Sequence, residues 1–298
     1  MHFFITGGTG FLGRHLVAEL LARGDQVTVF ARDFETAKKA LSDHVNLIAD
    51  VSQAGDDIDV VINLAGEPII DKRWSKKRKQ VLIDSRIETT KAIVEWMAGV
   101  EKKPKAFISG SAIGYYGNYP ENIYLTEADR PRYCFASELC KQWEAEALKA
   151  EALGVRVCVV RTGVVLDKNA GALQRMWLPF SMGLGGRVAS GYQWLSWIHR
   201  QDMINALIFM VDNTTISGAV NATAPEPVNY NVFTKAFARA LKRPAFFPMP
   251  AFVLRLMLGE AAQLLIDGQR VVPKKLLDSG FEFTFKTIDQ ALGAIVNE

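Results

Sequence analysis

A chain of 298 residues, 49% apolar and 22% charged, has room for one large α/β domain with a smaller lobe and the composition of an ordinary soluble globular protein. Its net charge of +3 gives no argument for nucleic acid or an acidic membrane surface, and no apolar run reaches the ~18 residues of a membrane span, so neither partner is expected. The opening MHFFITGGTG does not read as a signal peptide, and Cys134, Cys140 and Cys158 show neither CxxC nor metal-like spacing, so a reducing, cytoplasmic setting with buried thiols is expected.

In chain order, HFFIT (2–6) is a short apolar run ending in a glycine-rich turn, which suits a buried parallel strand. Over 11–23 the apolar positions Leu12, Leu16 and Leu20, flanked by Val17 and Leu21, recur at helical spacing, and Gly24 ends the helix. QVTVF (26–30), VNLIA (45–49) and DVVIN (59–63) read as three more strands, followed by a long helix over 75–97. The basic run Lys76, Lys77, Arg78, Lys79 falls at its start and reads as a solvated helix face. KAFIS (105–109) is a fifth strand, 134–153 a helix and VRVCVVR (155–161) a sixth strand. Strands alternating with helices at this spacing imply βαβ units and a mostly parallel sheet covered on both faces.

Beyond Arg161 the rhythm changes. Residues 166–198 are rich in Gly, Trp and Met with no clear period, 199–212 returns to a helical pattern, and GAVNA (218–222) reads as one more short strand. The remainder holds two helical patterns, 231–241 and 251–266. The division expected is a nucleotide-binding domain over 1–165 and 199–222, with a small substrate-side lobe over 166–198 and 223–298.

TGGTGFLG (6–13) sets Gly7, Gly10 and Gly13 between the first strand and first helix, where backbone N–H groups can approach a pyrophosphate. Gly8, Gly10 and Gly13 also fit GxGxxG, so spacing alone does not identify the subfamily, but the strand-turn-helix context points to a dinucleotide. The second strand ends Phe30, Ala31, Arg32, where NAD binders usually carry an acid for the ribose 2′-OH. An arginine can pair bidentately with a 2′-phosphate, so NADP(H) is the expected cofactor.

Taken together, TGGTGFLG, NLAG (63–66), SGSAIGYYG (109–117), RTGVVL (161–166) and WIHRQD (197–202) resemble the extended short-chain dehydrogenase/reductases, and among them the atypical epimerase-family, YfcH-like branch. NLAGEPI…KRW (63–74), PFSMGLGG (179–186) and PKKLLDSGFEF (273–283) extend the likeness through the chain. The resemblance implies a Rossmann-type, doubly wound parallel sheet, an NADP(H) site and a small C-terminal substrate lobe. It implies cofactor contacts from Gly7, Gly10, Phe11, Leu12 and Gly13 at the phosphates and from Arg32 beyond strand two. Leu64, Ala65 and Gly66 match the loop beside the ribose, Arg86, standing where many members place an Asn, would reach the cofactor phosphates, and Gly163 to Val165 would pass the nicotinamide.

Most of the superfamily moves a proton with a Tyr and a Lys one helical turn apart. In RYCFASELCKQWE (132–144) the resemblance puts Phe135 and Leu139 at those places, and no tyrosine of the chain has a lysine four residues on. Lys141 lies about 200° around the helix from the vacated position. Phe135, Leu139, Trp143 and Ala147 form one apolar stripe that packs as core or lines a pocket. Ser111 fills the usual serine position, and the catalytic candidates are Ser111 with Tyr115 or Tyr116, and Glu67, with Tyr133 behind them. His199 and Asp202 are expected to cap a helix and anchor a loop. Leu195 occupies the place of an arginine that many members use for a nucleotide-sugar diphosphate, so the substrate implied is smaller in charge and flatter than a nucleotide sugar. Two readings stand: an oxidoreductase or epimerase with a relocated proton donor, or a non-catalytic NADPH-binding sensor or scaffold. A homodimer through the helices is a candidate assembly, with sheet packing as the competing use of Ile83, Ile87, Val94 and Met97.

Overall fold

The computed structural model describes residues 1–119 and 122–298. Seven parallel strands form the central sheet: β1 (His2–Thr6), β2 (Gln26–Phe30), β3 (Asn46–Ile48), β4 (Val60–Asn63), β5 (Ala106–Ala112), β6 (Arg156–Thr162) and, from far downstream, β10 (Gly218–Ala222). Their order is β10-β6-β5-β4-β1-β2-β3. The strand order reverses between β1 and β4, the switch point outside which such sheets bind their ligands.

Strand alternation explains the layers. Phe3 and Ile5, Ile62, Ile108 and Val160 face one side, against α1 (Phe11–Ala22) and α6 (Arg200–Asp212). Phe4, Val61, Phe107 and Val157 face the other, against α3 (Lys76–Gly99) and α4 (Phe135–Leu148). Side chains on both faces are apolar, as a sheet covered twice requires. Val94 and Met97, weighed above for an interface, are buried in this second layer. Three further helix starts obey local chemistry: the Ser75 hydroxyl accepts from the Arg78 amide at 3.1 Å, Cys134 sulfur from Ser137, and Asp33 from Thr36, opening α2 (Phe34–Ala40).

The lobe has its own core, built from α5 (Gly171–Ser181), α7 (Tyr230–Leu241) and α11 (Ile288–Asn297) around Trp197, Phe233, Phe237 and Leu292. Short strands tie it to the sheet: β7 (Val164–Leu166) pairs with β9 (Trp197–His199), and β8 (Trp194–Leu195) with β11 (Val228–Asn229). Three elements depart from the sequence reading. Helix α5 lies where no period was evident, although Leu173, Met176, Trp177 and Phe180 carry the helical spacing, because Pro179 interrupts the pattern. The single helix expected over 251–266 breaks at Gly259, whose φ of +60° suits glycine, into α8 (Ala251–Leu258) and α9 (Gln263–Ile266). After α10 (Lys274–Asp278), Phe281 and Phe283 return to the sheet's core, so the chain's last third serves both units.

Candidate functional site

The glycine turn is shaped by close approach. Gly7 has φ +73°, and a Cβ there would stand 2.6 Å from the Leu64 carbonyl carbon, on the loop leaving β4. A Cβ on Gly13 would lie 2.1 Å from the Gly7 oxygen, and one on Gly8 would meet Val29 at 2.7 Å. The Gly10 amide donates to the Gly7 carbonyl at 3.0 Å, closing the turn. Helix α1 then begins at Phe11 with no side-chain cap and no acid in its first turn, so the amides of Phe11, Leu12 and Gly13 have no side-chain acceptor. A pyrophosphate fits this cradle: without Cβ atoms the turn packs closely on the Leu64 loop and on itself, and the helix end lacks a side-chain capping partner.

The cofactor's other end has an equally local logic. Asp33, the nearest acid after β2, accepts from the Thr36 amide at 3.1 Å and hydroxyl at 2.6 Å and is thereby committed to capping α2. These bonds hold its carboxyl below the usual range. Arg32 is left 82% exposed, with Glu67 Oε1 at 3.9 Å. Glu67 also pairs with Arg78 at 3.1 Å, so it belongs to this end of the groove and not to a substrate cavity. Arg86 departs from expectation as well: its guanidinium donates to the carbonyls of Leu82 and Glu67 at 3.1 and 3.0 Å and lies under Gly66 and over Trp143. It braces the Leu64–Ala65–Gly66 loop from below. Burial pulls its pKa down. The same loop is held by a buried ladder in which Thr6 donates to Asn63 at 2.6 Å, and Asn63 and Trp143 donate to Thr90 at 2.8 and 3.0 Å.

Ser111, at the end of β5, gives its proton to Glu144 at 2.7 Å. Glu144 accepts two bonds from Arg161, both 2.9 Å, and Arg161 donates to the Tyr116 hydroxyl at 3.1 Å. Tyr116 in turn reaches Asn221 at 2.7 Å and the Thr126 carbonyl at 2.9 Å. It is fully buried, and burial pushes its pKa up to about 12. Tyr115 packs its ring 3.4 Å from the Arg161 guanidinium. The three sequence candidates are therefore brought together, but as members of a closed network.

A cavity of about 270 Å³ opens between the sheet's carboxyl end and the lobe. Its walls come from Thr162–Gly163–Val164, the start of α4, the 69–74 segment, β8 and the 263–269 segment. Neither Ser111, Tyr115, Tyr116 nor Glu67 lines it. Phe135 does, edge-on to Trp74 at 4.8 Å, and Leu139 behind it is buried. Lys141 pairs with Glu138 on the outer face, and Tyr133 is 88% exposed. Cys140 lines the cavity as an inert thiol, pushed up to about 12 by burial. Gly163 is pinned because a Cβ would strike the Ser196 carbonyl at 2.6 Å, and Val165 is held by β7 pairing to Ile198. Leu195 forms part of the wall. His199 caps α6 by accepting from the Gln201 amide at 3.1 Å, and Asp202 accepts from the Thr284 and Phe285 amides at 2.9 Å each, the two roles expected of them.

One lining residue escaped the sequence reading. Asp267 is the sole carboxylate among the described lining residues, which include no lysine or arginine. Its side chain takes no hydrogen bond or ion pair from any described residue, and burial raises its pKa against the opposing charge of Arg255. Nothing in the sequence marks it, since it lies at the end of a stretch that reads as plain helix.

Comparison with known proteins gives a consistent picture. The family model described as "NAD dependent epimerase/dehydratase family" matches residues 3–223, and a second, "Domain of unknown function (DUF1731)", matches 249–295. The epimerase family protein YfhF of Bacillus subtilis (strain 168) is 38% identical over 299 residues, spanning 99% of this chain and 98% of its own. The crystal structure of human epimerase family protein SDR39U1 (isoform 2) with NADPH superposes with a TM-score of 0.91 at 31% identity, covering 100% of this chain and 99% of that one. UDP-glucuronic acid 4-epimerase from Bacillus cereus, in complex with UDP-glucuronic acid and NAD, shares the fold, with a TM-score of 0.78 at 17% identity over 100% of this chain and 98% of its own.

Proposed function

Because the chain belongs to the NAD dependent epimerase/dehydratase family, we propose that it is an NADP(H)-dependent oxidoreductase or epimerase acting on a small substrate of little negative charge. The observation that carries this reading is the cavity itself. It adjoins Gly163 and Val164, its walls are mostly apolar, it has Leu195 in place of a diphosphate-binding arginine, and no described lining residue is a cation. NADPH in the SDR39U1 structure supports the choice of cofactor.

When bound, the cofactor supplies or accepts a hydride. The chain's own part is positioning and proton control. The uncapped amides of α1 would hold the pyrophosphate and Arg32 would pair with the 2′-phosphate, while the Phe135–Trp74 wall excludes water. Ser111 donates to Glu144 and stands behind the cavity wall, so its part is to hold the buried network and not to touch substrate. Asp267 takes the place of the missing tyrosine as the group that holds or takes a proton, its raised pKa bringing it closer to the poise that such work needs.

Arg32→Ala should weaken NADPH binding at least tenfold, about 1.4 kcal/mol, and leave NADH binding unchanged. Fluorescence titration with each nucleotide checks this, and an unaltered ratio of the two affinities would show that Arg32 is only a solvated strand-end residue.

Asp267→Asn should raise Tm slightly at neutral pH. An unpaired carboxyl whose pKa is higher folded than unfolded keeps its proton longer in the native state, so the native state loses stability as pH rises through that window. The gain in the variant should vanish below ~3.9, where the carboxyl is protonated in both states. A loss of stability in the variant at neutral pH would mean that the carboxylate holds the fold together and is not held ready for a ligand.

Phe135 and Leu139 at the places of the proton-relay pair favour a second reading, an NADPH-binding protein without turnover. Unequal affinity for NADPH and NADP, with no NADPH consumed across a broad panel of aldehydes, ketones and alcohols, would decide for it.

A further inference from the structure

The lobe carries an apolar face that its own core does not cover. Phe246, Phe252 and Leu256 are 81%, 69% and 69% exposed, and Phe247, Met249 and Met257 are exposed beside them. Phe252 and Leu256, four residues apart, share one side of α8, while Leu254 is buried on another. The 182–188 segment runs alongside, bridged from Leu184 to Ala245 and from Val188 to Met249, and adds the exposed Met182 and Leu184. Exposed aromatic and aliphatic side chains at this density mark a contact surface and not ordinary solvent-facing chain.

The unpaired charge around this face has one sign. Between Glu226 and Glu260 the sequence has no acid, but it has Lys235, Lys242, Arg243 and Arg255, together with Arg239, which is paired with Asp289. A second basic group meets the end of α8: Arg73 donates to the Met257 carbonyl at 3.0 Å, next to the exposed Lys72, Lys76 and Lys77. The acids at its border are neutralised, Glu260 by Lys79 and Asp71 by Arg175. An isologous contact with a second copy would set these bases against themselves. An anionic surface would not.

We propose that this face docks on an anionic lipid bilayer, with α8 in the plane of the interface, Phe246, Phe252 and Leu256 entering the headgroup layer, and the two basic groups on lipid phosphates. This is the physics of an interfacial amphipathic segment, where shallow apolar insertion and charge attraction add. A net charge of +3 conceals it because acids elsewhere in the chain cancel the local excess. No helix among the described residues is long and apolar enough to cross a membrane, and lying on the surface requires none.

The test is co-sedimentation with vesicles of phosphatidylcholine alone and of phosphatidylcholine mixed with phosphatidylglycerol. Binding to the mixture should exceed binding to the neutral vesicles by about tenfold or more and fall as salt is raised. The pair Phe252→Ser with Leu256→Ser, and separately Lys76→Glu with Lys77→Glu, should each reduce it about tenfold while Tm and NADPH affinity hold. The glutamates sit in the first turn of α3, where acids are compatible with the helix. No binding to the mixed vesicles, or binding that survives either pair, overturns the proposal. So does a wild-type dimer that the serine pair dissociates without any lipid binding, which would assign the face to a second copy. NADPH titration of the same samples reports on the cofactor reading independently.

Discussion

Glu144→Ala should lower the unfolding free energy by about 3–5 kcal/mol, the usual consequence of removing one partner from a buried ion pair. Glu144 and Arg161 have side chains only 7% and 5% exposed, and the alanine leaves the Arg161 Nε and Nη2 without acceptors in the interior. It also strips Ser111 of the oxygen that takes its proton. Glu144→Gln keeps the shape and one acceptor, so its loss should be smaller. Replacing the two together, Glu144→Leu with Arg161→Met, should recover most of the stability, because the cost lies in the unpaired charge and not in the absence of the pair. Denaturant melts of the three variants check the series. If the double replacement is as unstable as Glu144→Ala, the network is held by its hydrogen-bond geometry to Tyr116 and Asn221 more than by charge.

Gly13→Ala should reduce NADPH affinity on the order of a hundredfold, about 2.7 kcal/mol. The added Cβ would lie 2.1 Å from the Gly7 oxygen and 2.6 Å from the Gly8 Cα, both backbone atoms, so relief requires moving the turn that holds the pyrophosphate. Gly99→Ala is the matched control. No atom stands within 4 Å of its Cβ position, so it should leave binding unchanged and stabilise α3 by roughly 0.4–1 kcal/mol. Titration with NADPH and thermal melting distinguish the two, and equal binding by Gly13→Ala and wild type would mean that the cofactor lies elsewhere than on this turn.

The sheet and its glycine turn were legible because their signals are local. Apolar runs such as HFFIT and VRVCVVR are short enough to be strands, and the Gly7–Gly13 turn sits between a strand and an amphipathic helix in a continuous stretch. The stripe through Phe135, Leu139, Trp143 and Ala147 was legible for the same reason. What lay beyond the sequence depends on neighbours distant along the chain. Glu144 follows Trp143 on a helix read for its apolar side, and its importance appears only when β6 brings Arg161 to it. Asp267 becomes a cavity residue because Gly259 breaks the helix before it and turns the chain toward α4 and β6. Hydrophobic pattern likewise cannot tell a phenylalanine that enters a core from Phe246 or Phe252, which do not.

The position of β10 has a consequence for how the protein is made. That strand completes the sheet's edge beside β6, yet the chain leaves β6 at Thr162, builds part of the lobe, and returns only at Gly218. During synthesis the backbone groups along the outer edge of β6, the one not paired with β5, therefore wait for a partner while more than fifty further residues are added. An open edge flanked by apolar sequence is a template for pairing with other chains. Until β10 is made, that outer edge is open to pairing with another chain.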